Sequence, residues 1–351
     1  MIKNVALIGA GSISKVHIEG YRSAPGVQIA AICDLNESLA QARAQEYGIP
    51  KYCSDYHEIL ADPTIDAVSV VTPTFTHRNI VVDALNSGKH VLCEKPPVLT
   101  YQEALDCEEA AKRSGKVLMY GFVMRFHAPN QFLKEYIDNG KLGDIYYADV
   151  TRIEVCNGIG GWFRDKSKAG GGCLFDAGIH QLDLALYLMG YPKVKSVKGF
   201  TTDVNKDLPD RIRGLSRYVS ANDSRAPRTV ESFASALITF EGNKSLYIKA
   251  SHIANSANSG SRFELIGDKG GVATVGDELK FLMLDDTNFF MESKPWIAKA
   301  KEPSFNPEIR HFISCCNGET ECICTPHQGS ELIKILNAIY ESADSGKEVL
   351  F

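Results

Sequence analysis

The first 121 residues alternate short apolar runs with helix-forming stretches, and that alternation leaves few folds open. Val5-Ala6-Leu7-Ile8 runs into Gly9-Ala10-Gly11-Ser12-Ile13-Ser14, the pattern of a buried strand feeding a tight turn. The strand pattern returns at Gln28–Cys33, Ala67–Val71, His90–Glu94 and Val117–Gly121. Residues 14–23, 36–47, 77–86 and 102–113 read as the intervening helices. Ala, Glu and Gln favour the second, Gly88 ends the third and Thr100 can cap the fourth. Strands and helices alternating at these lengths build βα units into a doubly wound parallel sheet.

The pattern changes after residue 122. Lys195–Thr202, Ser232–Phe240, Ser245–Ser251, Arg262–Gly267 and Gly271–Val275 read as strands parted by Gly, Asn and Asp turns. They predict an α+β domain with a large, mostly antiparallel open sheet. Asp176–Met189 reads as a helix ended by Gly190, and 203–231 as a polar loop. Residues 328–345 read as a late amphipathic helix. With 351 residues the chain has room for two domains, placed at 1–122 and 123–351. The late helix is free to pack back toward the first.

Composition narrows the function. With 38 basic and 43 acidic residues the formal charge is −5, and there is no polybasic tail to suit a nucleic acid. The chain opens directly on a strand pattern, and no apolar run is long enough to span a bilayer. A cytoplasmic protein with no membrane partner is expected. Several of the ten cysteines sit in apolar runs, such as Ile32-Cys33 and Leu92-Cys93, where a thiol acts as a small hydrophobe. Cys315-Cys316 and Cys322-x-Cys324 lack the Cys-x-x-Cys pairing of a structural zinc site, so no metal is expected.

The glycine turn suits a dinucleotide. Gly9 makes the turn and Gly11 admits the pyrophosphate, with Ser12 and Ile13 beside them. Ser14 takes the third glycine position, which mainly eases helix–strand packing. Asp34 closes the second strand, where a carboxylate accepts hydrogen bonds from the adenosine ribose and repels a 2′-phosphate. Leu35-Asn36-Glu37 offers no positive charge for such a phosphate, so NAD is expected over NADP. Thr72, Pro73 and His77 follow a strand's carboxyl end, where open sheets bind ligands, and join the candidate cofactor residues. His77 can equally line the first turn of its own helix.

Two further clusters carry chemistry. In Glu94-Lys95-Pro96-Pro97, Pro96 restricts Lys95 to extended geometry and can aim it inward. A lysine beside a cationic nicotinamide can stabilise an alkoxide or relay its proton. Asp176 and His180 stand four residues apart, on one face of a helix, behind Gly170-Gly171-Gly172. They can act as a general-base pair or line a polyol pocket. Asp183 lies one turn further on.

The glycine turn, Glu94-Lys95-Pro96 and Gly171-Gly172-x-Leu174-x-Asp176-x-Gly178-x-His180-x-x-Asp183 occur in an order that resembles the glucose–fructose oxidoreductase, inositol dehydrogenase and MocA family. The resemblance covers nearly the whole chain, including Glu308-Ile309-x-x-Phe312. It implies an NAD-dependent oxidation of a ring secondary hydroxyl of a sugar, glycoside or cyclitol. It makes Lys95 catalytic, and Asp176 and His180 the catalytic substrate contacts, with His180 the candidate base. Glu94 and Lys95 also fall beside the cofactor. Arg125 with Phe126, and Trp162 with Phe163 and Arg164-Asp165, resemble segments that shape the substrate pocket. Pro97-Val98-Leu99 departs from the small or leucine-like residue and alanine that follow in many members. The arginines of the 203–231 segment (Arg211, Arg213, Arg217, Arg225, Arg228) suit a charged substrate or a solvated or oligomer-contact loop. Nucleotide-sugar dehydrogenases, dihydrodiol or imine-type reductases and non-catalytic NAD(H)-binding regulators share the layout. A homodimer or homotetramer is expected.

Overall fold

The computed structural model describes residues 1–155, 160–204, 228–275, 278–284, 287, 289–295 and 302–351. The chain divides into two compact units, Met1–Phe126 with Ala300–Ile333, and His127–Lys299 with Lys334–Phe351.

The first unit begins with β1 (Asn4–Ile8), α1 (Ser12–Arg22), β2 (Gln28–Cys33), α2 (Glu37–Tyr47), β3 (Lys51–Cys53) and α3 (Tyr56–Ala61). It continues through β4 (Ala67–Val70), α4 (His77–Asn86), β5 (His90–Glu94), α5 (Tyr101–Ser114) and β6 (Leu118–Gly121). The strands form one parallel sheet in the order β3-β2-β1-β4-β5-β6. Its central strands are buried along nearly their whole length, as a sheet covered on both faces requires. Local chemistry sets the helix ends. Asn36 accepts a hydrogen bond from Leu39 N to start α2, and Thr100 with Glu103 forms a capping box on α5. Gly48 and Gly115 stop these helices in the left-handed conformation.

The second unit carries α6 (Ala128–Asp138), β7 (Ile145–Ile153), α7 (Lys166–Ala169), a π-turn at Leu174–Gly178, α8 (Ile179–Leu188) and β8 (Val194–Thr202). Then follow β9 (Phe233–Phe240), β10 (Lys244–Ser251), β11 (Gly260–Gly267), β12 (Gly270–Val275), β13 (Glu278–Leu284) and β14 (Phe290–Ser293). After α9 (Phe305–Cys316) and α10 (Pro326–Ser345), β15 (Val349–Leu350) closes the chain. The nine strands run β14-β13-β12-β11-β7-β10-β9-β8-β15, and all pairs but β7–β10 are antiparallel. Alternation along β9 buries Ala234, Ala236, Ile238 and Phe240 and turns Leu237 outward. The buried face packs on α8 and the π-turn, and α8 is apolar around most of its circumference to match.

Two departures from the sequence expectations have physical causes. Residues 300–333 belong to the first unit although they follow the second sheet. Asn317 accepts Ile2 N at 2.8 Å, and Arg310 donates to Ser23 Oγ at 3.2 Å. The helix expected to begin at Asp176 is instead a π-turn leading into α8. Arg211, Arg213, Arg217 and Arg225 lie outside the described residues. No described helix is long and apolar enough to cross a membrane.

Candidate active site

In the first unit the expected cofactor residues collect at the carboxyl ends of β1, β2, β4 and β5. The strand order reverses between β1 and β4, the point where an open sheet leaves a crevice. Gly9 has φ +113°, and a Cβ there would lie 2.5 Å from Val71 O, so only glycine serves. A Cβ on Gly11 would meet nothing within 4 Å. No side chain caps α1 and no acidic residue stands in its first turn. A bare helix N-terminus with open space over a glycine fits a pyrophosphate. Ser14 is buried and donates to Gly11 O at 2.7 Å, so it fills the third glycine position without obstructing the turn.

Asp34 accepts Ala10 N at 2.8 Å on one oxygen and Asn36 N at 2.9 Å on the other. The carboxylate is thus fixed against the glycine turn while remaining half-buried. The buried Arg43 donates to Ala10 O at 3.1 Å. Its guanidinium supports the turn from below, a role the sequence did not signal. The set fits NAD: a bare helix terminus for phosphate and a carboxylate for ribose.

Lys95 follows β5 and is joined to Pro96 by a cis peptide bond. Its N–H donates to Glu94 Oε2 at 3.0 Å. Glu94 Oε1 lies 2.9 Å from His17 Nε2, His17 Nδ1 lies 3.2 Å from Ser69 Oγ, and Ser69 Oγ lies 2.7 Å from Tyr21 OH. This buried relay holds the start of the lysine turn. Burial pushes the Glu94 carboxyl up, but the His17 hydrogen bond and charge, with the Lys95 charge, outweigh it and leave the group below its usual range. His77 is buried, with Nε2 2.8 Å from Thr72 O and Nδ1 2.9 Å from Pro96 O. Its ring lies between the Thr72-Pro73 turn and the lysine turn, and burial holds its pKa below the ordinary histidine value.

In the second unit, Asp176 sits in the π-turn and His180 opens α8, both half-buried. π-turns recur at functional sites because they re-aim side chains inside a helix. Asp176 Oδ2 lies 3.0 Å from Nε2 of His252, which is fully buried just beyond β10. His252 Nδ1 is buried and without a hydrogen-bond partner. The glycine run is held by Glu231, which accepts Gly172 N at 2.8 Å, Leu174 N at 3.1 Å and Tyr340 OH at 2.8 Å. A Cβ on Gly171 would lie 2.0 Å from Tyr340 OH, and one on Gly172 2.1 Å from Glu231 O. The glycines therefore admit the groups that brace the turn. His252, Glu231 and Tyr340 are far from this segment in sequence, and no spacing signals them.

Asp183 is buried and accepts Tyr191 OH at 3.0 Å. Trp162 stacks on Phe163 with ring centroids 3.9 Å apart, and is half-buried. Arg125, expected at the substrate, is 1% exposed in the first unit. It donates to Ile323 O and to Gln328 Oε1 and lies over the Phe122 ring, so it holds the connection before α10. Arg228 is half-buried, with its side chain shielded beside Asp203 at 3.4 Å.

Residues 3–122 match the model of an oxidoreductase family described by its NAD-binding Rossmann fold, and residues 134–351 match the C-terminal α/β domain of the same Gfo/Idh/MocA family. The chain belongs to the Gfo/Idh/MocA oxidoreductase family. As a member of that family it is an NAD-dependent oxidoreductase. It is similar to the D-glucoside 3-dehydrogenase of Escherichia coli, 32% identical over 98% of this chain and 96% of that protein. It also resembles the NAD(+)-dependent scyllo-inositol 2-dehydrogenase of Bacillus subtilis, 31% identical over 75% of this chain and 79% of that one. A levoglucosan dehydrogenase solved with NADH and levoglucosan superposes with a TM-score of 0.83 at 25% identity, covering 100% of this chain and 99% of the other.

Proposed function

We propose that the protein oxidises a ring secondary hydroxyl of an uncharged sugar, glycoside or cyclitol, with a glucoside oxidised at C3 as the leading substrate. The observation that carries this reading is the half-buried Asp176 carboxylate, held at 3.0 Å by the buried His252 and followed four residues later by His180. A fixed carboxylate beside an imidazole suits a polyol, because it accepts hydrogen bonds from neighbouring hydroxyls and so orients the ring. The E. coli relative, similar over nearly the whole chain, supports the glucoside and the carbon. The Arg228 side chain, 5% exposed beside Asp203, weighs against phosphate recognition there.

In this reading NAD, when bound, supplies the hydride acceptor. His180 takes the hydroxyl proton as the carbon–hydrogen bond breaks and the carbonyl forms. Lys95 stabilises the negative charge that develops as the proton leaves and shares in the proton transfer. Asp176 orients the ring, and Trp162 offers an apolar wall for a sugar face. Glu94 and His77 hold Lys95 in place, and Gly9, Gly11, Ser12, Ile13, Asp34, Thr72 and Pro73 receive the cofactor. A base retained beside a fixed carboxylate weighs against a non-catalytic regulator, which needs neither. Nine described cysteines are free thiols, in keeping with a cytoplasmic setting. The outer face of the nine-stranded sheet carries exposed Phe200, Leu237 and Leu282, a surface suited to pairing with a second copy as a homodimer or homotetramer.

The test is the absorbance of reduced cofactor formed by purified protein and NAD across glucosides, free hexoses, inositols and nucleotide sugars. Turnover of a glucoside to its 3-keto product, identified by NMR, is expected. Turnover confined to nucleotide sugars, or none with NAD bound, overturns the reading.

A further inference from the structure

A second cluster of reactive side chains lies in the first unit, where the sequence offered no metal motif. We propose that His311, Cys315 and Cys322 bind a thiophilic transition-metal ion, with zinc as the biological candidate. One ligand atom from each residue lies within 4.8 Å of the other two. His311 and Cys315 stand on successive turns of α9, and Cys315 Sγ lies 3.4 Å from His311 Nε2. In a tetrahedral zinc site, metal–ligand bonds of about 2.0–2.3 Å place the ligand atoms about 3.5–3.8 Å apart. The cluster thus needs only a small contraction.

The ligand set is chemically suited to the ion. Two thiolates balance a divalent charge, and a neutral imidazole completes a Cys2His set that leaves a fourth position for water. Each thiol releases its proton to solvent as its sulfur–metal bond forms. Ile323 N donates to His311 Nε2 at 3.2 Å, so that nitrogen carries the lone pair a metal needs. Coordination exchanges this hydrogen bond for the metal bond. Cys315 is buried, while His311 and Cys322 are half-exposed and give the ion a route in.

The loop that brings Cys322 to the helix is fixed from several sides. Tyr120 N donates to Cys324 O at 3.2 Å, and Arg125 donates to Ile323 O. At the end of α9, Glu319 N donates to Ser314 O at 2.9 Å. A metal here would clip α9 to the connection that leads into α10 and hold the carbonyl on which Arg125 rests. Cysteine spacing alone does not signal the site, because the third ligand is a histidine one helical turn before Cys315.

The experiment uses full-length protein, reduced and stripped of metal with a chelator, then equilibrated with zinc and desalted. Inductively coupled plasma mass spectrometry should find about one zinc per chain. Cys315→Ser and Cys322→Ser should each lower retention at least tenfold, while Cys53→Ser, remote from the cluster, should not. Cobalt added to the stripped wild-type protein should give a thiolate-to-cobalt charge-transfer band and the strong visible bands of tetrahedral coordination. This spectrum needs no variant and so holds even if a substitution unfolds the chain. Absence of zinc retention and of that spectrum in fully reduced wild-type protein overturns the proposal. So does undiminished retention in folded Cys315→Ser or Cys322→Ser protein.

Discussion

The two units build their candidate sites in opposite ways. In the first, the residues stand where regular strands end: Gly9 after β1, Asp34 after β2, Thr72 after β4 and Lys95 after β5. The parallel sheet itself delivers them, and short local contacts such as Asp34 to Ala10 N trim their positions. In the second, Asp176 sits in an irregular turn that no repeating backbone pattern would fix. The backbone around it is braced by Glu231, itself held by Tyr340, and Asp176 is met by His252, all from distant parts of the chain. A regular scaffold makes a site of local parts, whereas an irregular one needs buried polar supports. The first should therefore fail by losing ligand, and the second by losing structure.

Substitutions of the reacting groups set the scale. Lys95→Ala and His180→Ala should each lower kcat by about 10²- to 10⁴-fold, with NAD affinity nearly kept, if both act in proton transfer. Fluorescence titration with NADH separates the two effects. An equal loss of cofactor affinity in Lys95→Ala would make the lysine a positioning residue.

The glycines sharpen the contrast. Gly172→Ala forces a Cβ to 2.1 Å from Glu231 O and should cost about 2–4 kcal/mol, read as a lower urea midpoint. Gly11→Ala meets open space and should cost about 1 kcal/mol or less, while raising the Kd for NAD severalfold. If Gly11→Ala proved the more destabilising, the comparison between the units would be broken.

What the sequence made legible follows the same division. The parallel sheet, the glycine turn and Asp34 all rest on contacts between near neighbours or on strand periodicity, which the order of residues encodes directly. The π-turn reads as a plain helix in the sequence, because a single extra residue per turn leaves no mark on apolar spacing over five residues. The motif around Arg125 fixes its position in the chain but not the fold around its guanidinium. Its acceptors, Ile323 O and Gln328 Oε1, lie about two hundred residues away. Residues 300–333 follow the second sheet in the chain but belong to the first unit for the same reason: their partners lie at the start of the chain.

His252 tests whether the buried supports act on chemistry as well as on folding. His252→Leu removes the donor to Asp176 and should lower kcat/KM about tenfold, with most of the loss in KM if the carboxylate orients substrate. His252→Gln keeps a donor of similar reach and should recover most of the activity. A leucine variant that is folded and fully active would reduce His252 to packing.

The smallest effect expected is an acid sensitivity rooted in the regular sheet. His90 opens β5, and its Nδ1 accepts Val117 N at 3.1 Å, so the ring must be neutral there. Burial, reinforced by the Lys116 charge, lowers its pKa from 6.5 to about 4. As pH falls below about 6.5 the unfolded chain takes up this proton and the folded one does not. Stability should then decline until about pH 4, below which the folded ring is protonated too. After allowance for its partial exposure, the loss should amount to roughly 1–2 kcal/mol. His90→Gln carries no titrating group, and its amide oxygen can still accept the Val117 N–H. Its urea midpoint should fall less than the parent's between pH 7 and pH 4.5. Parallel declines in the two proteins would move the acid sensitivity to other groups and remove His90 as the point where the sheet of the first unit feels pH.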